Sequence, residues 1–255
     1  MKERPLYISK ITPFIDKPIV KVITGIRRSG KSALLMLLKD YFISKGSSAE
    51  NIIYINFESM EYADIDSAKS LYSYVVEHKP SNGKCYILLD EIQNVKDWER
   101  AVNSFQVDID CDIYITGSNS HLLSSELSTL LAGRYVEFVI ETLSFKEYLS
   151  FLDSDIIDVY KEFNNYLRLG GFPVIHAHNY DADSAYKIIN DIYSSVILRD
   201  TIQRHNIRNV DQLERIMKFV LTNVGNLFSA KSISDYFISQ KRKVDINTVY
   251  NYLSA

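Results

Sequence analysis

The sequence predicts an α/β protein. The expected architecture is a three-layer fold on a parallel sheet, followed by a small helical lid and a C-terminal helix-turn-helix, winged-helix-like module. Three observations carry this expectation. Apolar strand-like runs alternate with helical periods up to about residue 140, the order that a parallel sheet covered on both faces requires. A glycine loop, Gly25-Ile-Arg-Arg-Ser-Gly-Lys-Ser32, joins the first of these strands to the first helix. Beyond Ser144 the strand signal stops and only helical spacing remains.

Ile19–Thr24 reads as a buried strand, and Ser32–Lys39 as a helix with a broad apolar side. Asn51–Phe57 is a second strand, followed by a helix near Ser67–Glu77 and a turn at Pro80-Ser-Asn-Gly83. Lys84–Leu89 is a third strand, ending in Asp90-Glu91. A helix from about Trp98 to Val107 leads to a fourth, Asp112–Thr116, which runs into Gly117-Ser118-Asn119. Short helices through Leu131 precede a fifth strand, Arg134–Ile140. Further helices are expected near Ser144–Leu152, Ile156–Leu169 and Ser184–Leu198, with Gly170-Gly-Phe-Pro173 between the last two. A long helix from Val210, then Ser229–Ser239, a basic turn Lys241-Arg-Lys243 and Asp245–Ser254 complete the chain, the last two helices forming the helix-turn-helix. The resulting division is 1–142 for the core, 143–200 for the lid and 201–255 for the module.

At 255 residues there is room for a large core and a second small domain. No apolar run approaches the ~18 residues that cross a bilayer, and Met-Lys-Glu-Arg-Pro lacks the apolar stretch of a secretion signal, so a cytoplasmic protein without membrane contact is expected. Cys85 and Cys111 lie in or beside strand-like runs and read as free buried thiols. His176-x-His178 has no matching acidic or cysteine cluster, which speaks against a metal site there. The net charge of −3 is uneven: residues 200–255 hold eight Lys/Arg against five Asp/Glu, giving +3 and leaving −6 for the rest. Of the two parts, only the tail has the charge of a nucleic-acid surface.

The loop fits the phosphate-binding pattern G-x-x-x-x-G-K-[ST] at every fixed position. Strand, glycine loop and helix place several backbone N–H groups and a helix N-terminus around one phosphate chain. Gly25, Ile26, Arg27, Arg28, Ser29, Gly30, Lys31, Ser32 and Ala33 therefore form the expected nucleotide-binding set. Gly25 and Gly30 let the main chain approach the phosphate oxygens. Lys31 offers an ammonium to the β- and γ-phosphates, and the Ser32 hydroxyl is a ligand for Mg²⁺. Arg27 and Arg28 either favour the polyanion or form a solvated pair on the outer side of the loop.

Asp90-Glu91 at a strand end is the second signal. An Asp there holds Mg²⁺ against the β- and γ-phosphates, while the neighbouring Glu is placed to orient or deprotonate a water behind the γ-phosphate. Ser118 and Asn119 are candidates for contacting the γ-phosphate or that water, although short polar residues also fill loops for local reasons.

GIRRSGKS, LLDEIQ, ITGSN, LAGRYVEFVIETLSFKEYL and GGFP together resemble a group of prokaryotic predicted ATPases of the AAA+ superfamily, close to the archaeal-type ATPases and the signal-transduction NTPases with numerous domains. The resemblance runs from about residue 4 to 255. It implies ATP rather than GTP, Lys31 and Ser32 in the phosphate loop, Asp90 on Mg²⁺ and Glu91 as base. Gly171-x-Pro173 looks like the glycine-proline motif that contacts the base side of the nucleotide in related signalling ATPases. Arg134, just before the fifth strand, stands where AAA+ proteins often carry an arginine finger; the alternative is a salt bridge closing the Leu131–Tyr135 loop. Arg168 is a weaker candidate for a lid arginine. Such proteins usually continue past the helix-turn-helix into a further domain, so this sequence reads as truncated before it.

The helix-turn-helix either lays Asn247, Thr248, Tyr250 and Asn251 in a major groove of double-stranded DNA, with Lys241, Arg242 and Lys243 on phosphates, or packs its apolar residues Val244, Ile246, Val249, Tyr250 and Leu253 against the rest of the protein. The leading expectation is an Mg²⁺-dependent ATPase switch, in a homo-oligomer if Arg134 acts between subunits, whose nucleotide state moves the module. A regulator of DNA or protein partners that holds ATP or ADP with negligible turnover is the rival. A small-molecule kinase is disfavoured by the Asp90-Glu91 pair and the lack of an arginine-rich lid segment.

Overall fold

A computed structural model describes residues 2–117, 131, 133–152, 158–178, 180–195, 201–204, 207–242 and 244–254, residues 203 and 204 by their backbone alone. Ser118, Asn119 and Lys243 lie outside the described residues. The described chain separates into two compact units, Met1–Tyr186 and Lys187–Ala255.

In the first unit, five strands form one sheet: β1 (Val20–Thr24), β2 (Ile52–Asn56), β3 (Cys85–Asp90), β4 (Cys111–Thr116) and β5 (Tyr135–Val139). Their order is β2-β3-β4-β1-β5, and every pairing is parallel. Parallel strands need crossovers, and the helices that make them cover both faces. On one face lie α1 (Pro5–Ile11) and α2 (Lys31–Ser44), whose Tyr7, Ile11, Leu34, Leu35, Leu38 and Phe42 pack on Ile23, Leu88, Tyr114 and Phe138. On the other lie α3 (Ala68–His78) and α4 (Trp98–Asp108), with Leu71, Val75, Val102 and Phe105 against Val22, Ile87, Leu89 and Ile115. Neighbouring strand residues thus serve opposite faces, as the two-residue period dictates. The fold is the expected three-layer α/β P-loop arrangement.

Local signals explain the helix starts. Pro5 opens α1, where its missing N–H is no loss, and Ser67 closes a reciprocal capping box with Ser70 at α3. The helix α1 was not anticipated from the sequence. Its signal is the pair Tyr7 and Ile11, four residues apart and both buried.

At the amino ends of the strands lies a buried ionic network. Lys21 and Asp112, on adjacent strands β1 and β4, form a pair with both side chains fully buried. Asp112 also accepts hydrogen bonds from the Asp16 backbone N–H at 2.8 Å and the Tyr114 hydroxyl at 2.8 Å. Burial pulls the Lys21 pKa down, and the Asp112 carboxylate beside it acts in the opposite direction. Burial also raises Tyr114, which stays a neutral donor. Cys85 and Cys111 are register partners across β3 and β4 and both thiols are free. Burial raises them to about 11 and about 12, so neither is a ready nucleophile. Cys111 is only partly buried.

After the sheet come α5 (Phe145–Phe151), α6 (Val159–Leu169), the short α7 (Pro173–His176) and α8 (Ala182–Ile192). Leu143, Tyr148 and Phe151 form a small core with Tyr166 of α6 packed on it. His176 is buried, its Nε2 2.7 Å from the Gly170 carbonyl and its ring edge-on to Tyr148; burial lowers its pKa.

The second unit contains the short α9 (Thr201–Arg204), then α10 (Val210–Thr222), α11 (Ala230–Ser239) and α12 (Ile246–Ser254). The last three share a core of Ile216, Ala230, Ile233, Phe237, Val244 and Val249. Val244 and Val249 are thereby used inside the unit, while Ile246, Tyr250 and Leu253 remain exposed. No strand occurs among the described residues of this unit, so the hairpin of a winged helix is not seen there. Among the described residues, no helix is long and apolar enough to cross a membrane.

Candidate nucleotide-binding site

The site is built where β1, β3 and β4 end together. The strand order inserts β4 between β1 and β3, so the loop after β1 and the acidic pair after β3 flank the end of β4. Such a line of carboxyl-terminal strand ends is where open α/β sheets bind ligands.

The loop leaves β1 through Gly25 at φ 144°. A Cβ there would stand 2.3 Å from the Ile140 carbonyl oxygen, so only glycine fits. Gly30, at φ 103°, begins α2 in the left-handed region. A Cβ on it would stand 3.8 Å from Pro173 Cγ, which brings the Gly-Gly-Phe-Pro turn against the phosphate loop. That turn is itself seated by the Leu143 N–H, which donates to the Gly171 carbonyl at 2.6 Å.

Lys31 is 4% exposed, and its Nζ donates to the Gly25 and Ile26 carbonyls at 3.0 and 3.3 Å. Burial lowers its pKa, with Glu91 and Asp90 acting against that. Its nearest carboxylate oxygen, Glu91 Oε1, is at 4.0 Å. The ammonium is therefore held at the loop by neutral carbonyls, the kind of partner that an anionic oxygen outcompetes. Ser32 and Ala33 follow in the first turn of α2 and are partly buried. Ile26, Arg27 and Arg28 face solvent, whereas Ser29 is buried. Arg27 pairs with Glu58 at 3.3 Å with both side chains 54% exposed, an arrangement worth little by itself.

Asp90 is fully buried. It accepts from the Thr116 hydroxyl on one oxygen and from the Tyr54 hydroxyl, at 3.2 Å, on the other. Thr116 in turn accepts from the Glu91 backbone N–H at 3.0 Å. Glu91 adopts φ 55° and ψ 49°, a left-handed conformation costly for a residue with a side chain. It turns the chain at the end of β3, and its Oε2 accepts from Gln93 Nε2 at 2.5 Å. Lys31, Asp90 and Glu91 thus converge, oriented by Thr116, Tyr54 and Gln93, none of which was singled out from the sequence. The readable signal for Thr116 was its place as the last residue of the strand before Gly117-Ser118-Asn119.

The donor set suits the group expected there. Among the described residues no three His, Cys, Asp or Glu side chains gather into a metal cage. Mg²⁺ needs none, since it binds through one or two hard oxygen ligands plus phosphates and waters. Asp90 and Ser32 have that character.

Arg134 is not in this group. Its carbonyl accepts from the Val20 N–H at the beginning of β1, whereas the phosphate loop follows the end of that strand. The five residues of β1 span roughly 16 Å, farther than an arginine side chain reaches, so Arg134 cannot serve the site of its own chain. The turn before it is closed by its backbone N–H, which donates to the Leu131 carbonyl at 2.8 Å. Arg168 is exposed in the last turn of α6. In the second unit, Asn247, Tyr250 and Asn251 are exposed and Thr248 is half-buried, while Arg242 pairs with Asp211 at 3.3 Å.

The AAA domain family matches residues 17–149, and a domain family of unknown function matches 160–255. An uncharacterized protein of Haemophilus influenzae is 40% identical over 99% of this chain and 64% of its own length. An uncharacterized protein of Methanocaldococcus jannaschii is 30% identical over 92% of this chain and 53% of its own. The chain therefore spans between half and two thirds of the length of these relatives. Among solved structures, AMPPCP-bound DnaA from Aquifex aeolicus aligns with 97% of this chain and 84% of its own at 13% identity and a TM-score of 0.43, a likeness too distant to decide anything further.

Proposed function

This chain belongs to the AAA domain family of AAA+ P-loop ATPases, and on that premise we propose that it binds ATP with Mg²⁺, hydrolyses it, and passes the change in nucleotide state to its C-terminal helical module. The observation that carries the reading is the convergence of buried Lys31, buried Asp90 and Glu91 at one row of strand ends. In this reading the loop amides and Lys31 grip the β- and γ-phosphates. Mg²⁺, held by Ser32, Asp90 and phosphate oxygens, would neutralise charge on the transferring group. Glu91 orients the attacking water and accepts its proton. Pro173, against Gly30, borders the nucleotide on the side of the later helices.

As a finger, Arg134 fits only an action between subunits, on the site of a neighbouring copy; otherwise its role is structural, in the 131–135 loop. An equimolar mixture of Arg134→Ala and Glu91→Gln chains is expected to regain part of the activity that each lacks alone, because some mixed interfaces join an intact finger to an intact base. No recovery in the mixture would remove the finger role.

Phosphate release, measured with and without duplex DNA, tests the main reading. Lys31→Ala removes a charged donor worth about 1.5–3 kcal/mol, so ATP affinity is expected to fall by about 10- to 150-fold and phosphate release to fall with it. Unchanged affinity in calorimetry would overturn the assignment. One observation supports a slower protein: Glu91 is engaged by Gln93 and faces Lys31. ATP binding without release would favour a regulator that holds nucleotide passively. Stimulation by DNA, weakened by salt, would bring in the exposed Asn247, Tyr250 and Asn251 of the module as a DNA surface.

A further inference from the structure

The amino-terminal segment contributes a side chain that the reading above does not use. Arg4 is 3% exposed, although it carries a full charge. Its Nε donates to Glu147 Oε1 at 2.9 Å, and its Nη1 donates to the carbonyls of Ser29 at 3.0 Å and Glu141 at 3.1 Å. The guanidinium carbon stands 4.4 Å from the centre of the Tyr7 ring, and the Tyr7 hydroxyl accepts from the Glu141 N–H at 3.0 Å. Its remaining nitrogen, Nη2, is shut off from solvent with no partner.

These partners belong to three separate segments. Ser29 is inside the phosphate loop, Glu141 follows β5, and Glu147 sits in the first turn of α5. The second oxygen of Glu147 accepts from the Ser144 N–H and hydroxyl, closing the capping box that starts α5. Burial pushes the Glu147 pKa up, but Arg4 and Ser144 together hold it below the usual carboxylate range, so the pair stays ionised. A planar fork with fixed donor directions ties such partners rigidly, which a single ammonium cannot do. A buried N–H left without a partner carries a desolvation cost, which the fixed contacts of Nε and Nη1 must offset.

We propose that Arg4 is a positioning residue of the nucleotide site, a strap that ties the phosphate loop to α5 so that filling the loop alters the helices after the sheet. The proposal rests on the nucleotide reading above. It makes the amino-terminal segment a working part of the ATPase unit. Arg4 acts through Ser29 and Glu147, with no role in the chemical step.

Hydrogen exchange followed by mass spectrometry, with and without Mg²⁺ and a non-hydrolysable ATP analogue, tests it. In the unaltered chain, the analogue is expected to slow exchange in residues 25–33 and, by about fivefold or more, in 144–151. In Arg4→Lys the loop should still respond while 144–151 changes by less than about twofold, since the loop keeps its ligand and loses its strap. Glu147→Met keeps roughly the length of the side chain and the Arg4–Ser29 contact but leaves the Arg4 Nε–H without an acceptor on α5, and should uncouple 144–151 in the same way. An α5 response of unaltered size in either variant would overturn the strap. So would an unaltered chain in which the loop responds and α5 does not. If even the loop of the unaltered chain fails to respond, the nucleotide reading itself falls, and the strap with it.

Discussion

Glu91→Gln is expected to lower ATP turnover by about 10²–10⁴-fold, the usual contribution of a positioned base, while ATP affinity is kept. The substitution preserves shape and leaves untouched the bond from the residue 91 N–H to Thr116, which holds the chain in its left-handed turn. It removes the carboxylate whose Oε1 stands 4.0 Å from Lys31. A cation freed from that neighbour attracts phosphate at least as well, so affinity should hold or rise. Stopped-flow measurement of bound nucleotide beside steady-state phosphate release separates the two effects. Turnover within a factor of two of the unaltered chain would eliminate Glu91 as the base. A parallel fall in affinity would show that the carboxylate serves the loop's shape instead.

The second large effect lies at the opposite end of the strands. Lys21→Met should destabilise the first unit by about 3–5 kcal/mol, because it strands Asp112 as a buried charge without its cation. The hydrogen bonds from Asp16 and Tyr114 remain and place the effect toward the lower part of that range. Lys21→Met combined with Asp112→Leu should recover most of the loss, since a well-packed apolar pair often equals a buried ion pair. Urea unfolding of the three chains reads this out as shifts in midpoint. A single variant within about 0.5 kcal/mol of the parent would show that Asp112 does not depend on Lys21 as its cation.

Much of the nucleotide site is legible along the chain because its parts are local. Eight consecutive residues specify the loop, and the positive φ of Gly25 and Gly30 is what glycine permits there. Asp90-Glu91 was identifiable from its place at the end of an apolar run, and the strands and principal helices follow from their periods and caps. The helix α1 was missed since its seven residues give a short period, and with it the strap Arg4. Arg134 had the right neighbours in sequence, but a strand of five residues separates it from its own loop. Sequence proximity to β5 does not say which end of the sheet a residue occupies.

The sequence by itself therefore determined the glycine loop, the acidic pair and the class of fold, all properties of short stretches with their own spacing rules. Only the tertiary structure decided that β4 lies between β1 and β3, that Thr116 and Tyr54 orient Asp90, and that Arg4 reaches Ser29, Glu141 and Glu147. Central parallel strands are buried on both faces and read as uniform apolar runs, so their pattern carries neither neighbour nor register. Those are settled by packing and hydrogen bonding between segments far apart in the chain, which is also where the polar partners of the site are chosen.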